Sequence, residues 1–168
     1  MKKNVLFKYS FIFLIFIFAG GVYAMSLTDV GKVCLFSKIS GVITLNGQPV
    51  VNAKLVRTVD RDGGKSDETT TDGKGYFELP SVFERTITKF LPQEFVVSQK
   101  IHVHYEGKEY EIWSAVKRSP DEKTESRGKP LVVQCDLTNE RKLIIVDRSP
   151  IFSLCKWDVE PDPKEEFF

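Results

Sequence analysis

The sequence predicts an all-β protein, an antiparallel β-sandwich of seven to nine short strands. Three observations predict it. Apolar and polar residues alternate in short runs, turn sequences rich in Asn, Gly and Asp separate those runs, and no long stretch keeps a helical period.

The N-terminus reads as an address. Met1 to Lys8 carries Lys2, Lys3 and Lys8 without an acid, and Tyr9 to Val22 is almost wholly apolar. Val22 and Ala24 then occupy the small-residue positions before a cleavage point. Residues 1–24 are therefore expected to be an export signal, with cleavage between Ala24 and Met25. A spanning helix wants about 20 apolar residues. This run is shorter and is broken by Gly20 and Gly21, so no membrane insertion is expected after cleavage. The expected location is the periplasm or the exterior, and the expected domain runs over 25–158.

"KISGVITL" and "QPVVNAKLVRTV" flank Asn46-Gly47, a pair that tolerates the positive φ of a tight hairpin turn. "DRDGGKSD" (60–67) is a polar loop, "ETTT" a β-branched run, "DGKG" a turn and "YFELP" its return strand. In Ser81–Glu94, Phe83, Ile87, Phe90 and Leu91 fall at spacings of three and four. That spacing predicts one short helix or an ordered loop. "FVVSQKIHVHY" puts Val97, Ile101, Val103 and Tyr105 on one face, and "EYEIWSAVKR" is its partner across "EGK". After the charged loop 119–130 come "LVVQCDL", "KLIIVD" and "IFSLCKW". Two prolines and four acids in "EPDPKEEFF" predict a disordered tail over 159–168.

Charge excludes one class of partner. The chain has 24 basic and 23 acidic residues, and the expected signal removes three lysines. The 21 bases left against 23 acids lack the dense basic face that nucleic acid needs. Cys34, Cys135 and Cys155 suit an oxidising compartment, and an odd count leaves one thiol over. Cys135–Cys155 is the favoured pair and Cys34–Cys155 the alternative. The third reading is that all three are buried as small hydrophobes.

"SGVITLNGQPVVNAKLVR" followed by "TTTDGKGYFELP" resembles the opening half of the carboxypeptidase regulatory-like domains, which are transthyretin-like (prealbumin-type) sandwiches. Gly41, Gly47, Pro49, Val50, Ala53, Thr71, Asp72, Gly75 and Phe77 carry the likeness. The resemblance implies the fold and no particular activity. Ser81–Glu94 departs from its usual short turn. A hydroxyisourate hydrolase shares the architecture, but its closing Tyr-Arg-Gly-Ser phrase is absent here.

Few side chains suggest chemistry. His102 and His104 are the only histidines and share one strand face. They could chelate copper or zinc given further ligands. Ile101, Val103 and Tyr105 on the core face push both toward solvent, with Lys100. Asp60, Asp62, Asp67 and Asp72 lack calcium-loop spacing and read as turn carboxylates. With only two histidines, both on a strand face expected to meet solvent, no triad of nucleophile, base and orienting group suggests itself, so no enzyme and no cofactor are expected. The expected role is a non-enzymatic binding module for another protein, through Phe83, Ile87, Phe90 and Leu91. Immunity to an incoming effector, adhesion and envelope assembly fit that role equally. The alternative is a metal or small ligand at His102 and His104.

Overall fold

The computed structural model describes residues 31–61, 63–86 and 94–163. The expected signal 1–24, Asp62, the stretch with Ile87, Phe90 and Leu91, and the end of the tail lie outside the described residues. The described chain is an all-β sandwich of thirteen strand segments and one 3-10 turn at Thr124–Ser126. Thirteen exceeds the expected seven to nine because short segments such as a two-residue strand count separately.

One sheet has six strands: β4 (Lys54–Asp60), β5 (Lys65–Thr70), β8 (Val97–Tyr105), β9 (Lys108–Lys117), β11 (Lys142–Val146) and β12 (Ser149–Ser153). Their order is β11-β12-β9-β8-β4-β5, all antiparallel. The facing sheet has β2 (Ile39–Leu45), β3 (Gln48–Pro49), β6 (Tyr76–Leu79), β10 (Leu131–Asp136) and β13 (Cys155–Trp157). A separate pair joins β1 (Lys32–Phe36) to β7 (Val82–Arg85). Val82–Arg85 is thus a strand, where the spacing of Phe83 predicted the start of a helix or loop. Pairing with β1 decides it, since that ladder satisfies backbone groups that a lone helical turn would leave open.

Alternation builds the core. Leu55, Arg57 and Val59 of β4 and Val97, Gln99, Ile101 and Val103 of β8 are buried, while their neighbours face out. Opposite them lie Ile39 and Ile43, Leu131, Val133 and Cys135, and Phe77 and Leu79, in one cluster. A bulge between Ile101 and His102 shifts the β8–β9 register. The extra residue lets consecutive Ile112 and Trp113 both be buried, which strict alternation forbids.

Turn chemistry matches the hairpins. Asn46 and Gly47 have φ of 51° and 77°, and Glu106 and Gly107 have 49° and 74°. Both positions positive is the pairing that suits the twist of a two-residue hairpin. One strand pair departs from the antiparallel expectation: β2 and β10 run parallel, Leu131 opposite Ile39 through Asp136 opposite Thr44. Asp136 fixes that edge. It accepts from Thr44 Oγ1 at 2.9 Å, from the Gly47 amide at 2.8 Å and from the Thr138 amide at 3.0 Å. The Thr138 hydroxyl and amide, with the Gly47 amide, hold its carboxyl well below the usual carboxylate range.

Candidate partner-binding face

Cys135 and Cys155 sit opposite one another on β10 and β13 and form the disulfide, which leaves Cys34 free and buried. The favoured pairing is thus the one formed. Around Cys34 lies a sealed polar cluster. Ser37 Oγ donates to Glu125 Oε2 at 2.6 Å, Gln99 Nε2 donates to Glu125 Oε1 at 2.9 Å, and Lys117 Nζ reaches Glu125 Oε2 at 3.0 Å. Trp157 Nε1 closes it by donating to the Glu125 carbonyl at 3.1 Å. Burial pushes the Glu125 carboxyl up, but Lys117, Ser37 and Gln99 together outweigh it, and the net direction is down. Burial pushes the Cys34 thiol up to about 11. Such a thiol is protonated at neutral pH and shielded from reagents. The cluster satisfies its own donors and acceptors, which is a structural role.

His102 and His104 lie on the outer face of β8, as the alternation required. His104 is exposed; His102 is half-buried, with Glu109 against Nδ1 and Glu111 3.6 Å from Nε2. Those carboxylates flank the ring on opposite sides and do not converge on one point. Among the described residues no three His, Cys, Asp or Glu side chains are placed to hold a metal ion. Phe83 is partly exposed on β7, with the Lys32 ammonium 4.1 Å from its ring centre.

The hairpin β11–β12 presents the apolar surface that the sequence reading passed over. Leu143, Ile145 and Phe152 are 52%, 41% and 43% exposed. Leu143 and Phe152 are directly opposed across the hairpin, so they stand side by side on the outer face. Charge borders the patch. The Arg141 guanidinium lies 5.9 Å from the Phe152 ring centre and also contacts Glu111, which links the patch to His102. The available signal was "KLIIV", whose apolar run on an edge strand cannot hide both faces in one core. On the hairpin's other side a groove of about 480 Å³ opens between Ile144, Leu154, Trp157 and Val159, flanked by Lys142 and Lys156.

The hairpin turn is unusual in lacking glycine. Asp147 and Arg148 both have positive φ, 48° and 61°. Each such residue costs about 1 kcal/mol. Asp162 offsets this, because its carboxylate accepts from the Asp147 and Arg148 amides at 3.0 and 2.8 Å and also contacts Arg127. The Arg148 amide first, then the Asp147 amide and Arg127, lower its pKa against the opposing effect of desolvation. The Asp162 amide donates to the Ile145 carbonyl at 2.7 Å. The tail expected to be disordered from 159 is therefore tied down as far as Asp162, by turn amides and an arginine that local composition does not reveal.

A family model described as a domain of unknown function (DUF6795) matches residues 39–140. Neither a curated protein nor a solved structure matches the chain. The matched residues run from β2 through β10, and the exposed hairpin follows them.

Proposed function

The chain belongs to the DUF6795 family, and we propose that it is a non-enzymatic, exported binding module that works through protein–protein contact at the outer face of β11–β12. The observation that carries this reading is the patch of Leu143, Ile145 and Phe152, large apolar side chains grouped at a rim that includes Arg141. Aromatic and aliphatic anchors beside an arginine are what protein interfaces are built from. Export is supported by the charged and apolar pattern of residues 1–24 and by the Cys135–Cys155 bridge, which persists in oxidising compartments. The transthyretin-like phrase supports a scaffold whose role lies in its surface.

A pull-down from envelope extract tests the reading, with wild type and Leu143→Asp/Phe152→Asp as baits. A partner held by wild type should be lost with the double variant, since truncating a central anchor costs about 2 kcal/mol or more, roughly 30-fold in affinity. Equal recovery by both baits would remove this face from the proposal. The identity of the captured protein separates effector neutralisation from envelope assembly.

A further inference from the structure

The six-stranded sheet has two edges, and it protects them by different means. β5, "KSDETT", closes one edge with charged and hydroxyl side chains, which suits an edge meant to stay unpaired. β11, "KLIIV", closes the other and carries exposed Leu143 and Ile145. Across the hairpin, Val146 pairs with Ser149 next to a two-residue turn, and Ile144 with Ile151. Antiparallel alternation then turns the backbone groups of Lys142, Ile144 and Val146 toward β12 and those of Leu143 and Ile145 outward. The Ile145 carbonyl confirms the parity, because Asp162 takes it from outside the sheet.

We propose that β11 is a strand-addition edge for a second copy of this chain, kept closed by the strap of residues 159–162 that Asp162 ties to the hairpin. The sequence around Ile144 is complementary to itself in antiparallel register. With Ile144 at the two-fold axis, Leu143 meets the second copy's Ile145 and Lys142 meets its Val146. Beyond the strand ends Arg141 faces Asp147 and Glu140 faces Arg148, opposite charges at both places. In this register the outward-facing Leu143 and Ile145 form hydrogen-bonded pairs, as the parity requires. Leu143, Ile145 and Phe152 then continue their apolar row from one copy into the next. The second copy's Leu143 amide would take the same Ile145 carbonyl that Asp162 now occupies. Strap and second copy therefore compete for one acceptor. This inference stands apart from the partner reading, because purified protein alone tests it.

Sedimentation equilibrium of the purified full chain, as wild type and as Asp162→Ala, is the experiment. Losing the carboxylate that holds the Asp147–Arg148 turn should tighten dimerisation about tenfold or more. Adding Leu143→Pro removes an outward amide without touching the β12 ladder and should restore the monomer. Ile144→Cys in the Asp162→Ala background should cross-link copy to copy at the axis. Should Asp162→Ala fail to fold by circular dichroism, Asp162→Asn provides a milder release. A released variant that stays monomeric, or a dimer indifferent to Leu143→Pro, overturns the proposal.

Discussion

Lys117 Nζ lies 3.0 Å from Glu125 Oε2, with the two side chains 1% and 3% exposed. The pair spans the end of β9 and the 3-10 turn and is completed by Ser37 and Gln99. Stripping one charge from such a pair strands the other. Lys117→Met should cost about 3–5 kcal/mol, while Lys117→Met/Glu125→Leu should cost clearly less. Urea midpoints of both variants check this. Because the Glu125 pKa is lowered on folding, its contribution is complete above the ordinary value of 4.5 and is lost as pH falls through the depressed one. The stability gap between wild type and Glu125→Gln should therefore narrow in acid.

Cys34 is 1% exposed and its thiol is pushed up to about 11 by burial. A disulfide-exchange reagent at pH 8 should find no reactive thiol in the native protein and one in urea. Labelling of Cys34 without denaturant would show that the β1 region opens readily.

The Cys135–Cys155 bridge closes a loop with a sequence separation of 20. Cys135→Ala/Cys155→Ala should lower stability by about 2–4 kcal/mol. Among the described residues β13 pairs only with β10, so its amides should exchange sooner than those of β8 once the bridge is gone. Hydrogen exchange by mass spectrometry reads both. Unchanged protection of β13 would mean that its ladder with β10 and Trp157, packed 5.1 Å from Trp113, hold it without the bridge.

Gly41 lies on β2 directly opposite Val133. A Cβ there would come within 2.0 Å of the Val133 carbonyl oxygen, on a backbone with no room to yield. Gly41→Ala should cost about 3 kcal/mol or more, by forcing β2 and β10 apart. Gly47→Ala meets open space and should lose only what its φ of 77° demands, about 1 kcal/mol. Thermal melts of the two variants give the order.

Much of the fold was legible because its signals are local. Asn46-Gly47 gave a turn, the alternation in β8 gave a buried face, and Cys135 and Cys155 lie on strands that proved to be neighbours. Pairing partners are not local, and there the reading stopped. Nothing in "SGVITL" or "LVVQCD" says that they run parallel. The apolar spacing that starts at Phe83 fits a short helix or an ordered loop, whereas Val82–Arg85 pairs with β1. The candidate face is hidden in "KLIIV" because a strand signal does not say which of its sides the core covers, and that depends on its place at the sheet edge. Asp162 looked like part of an acidic tail, since Arg127 and the Asp147–Arg148 amides come to it through space.

The parallel pairing of β2 with β10 also sets a timetable. Thr44 and Asp136, hydrogen-bonded at the end of that pair, are 92 residues apart in the chain. A polypeptide emerging N-terminus first makes β2 long before its neighbour exists. The hairpins β4–β5 and β8–β9 can close by then, but the five-stranded sheet cannot. Its completion waits for a loop closure among the longest in the molecule, which places refolding in the slow range of milliseconds to seconds for sheets dominated by distant pairs. Until β10 arrives, one edge of β2 has no strand beside it, so this interval is when the chain is most open to capture by a chaperone or by its own kind.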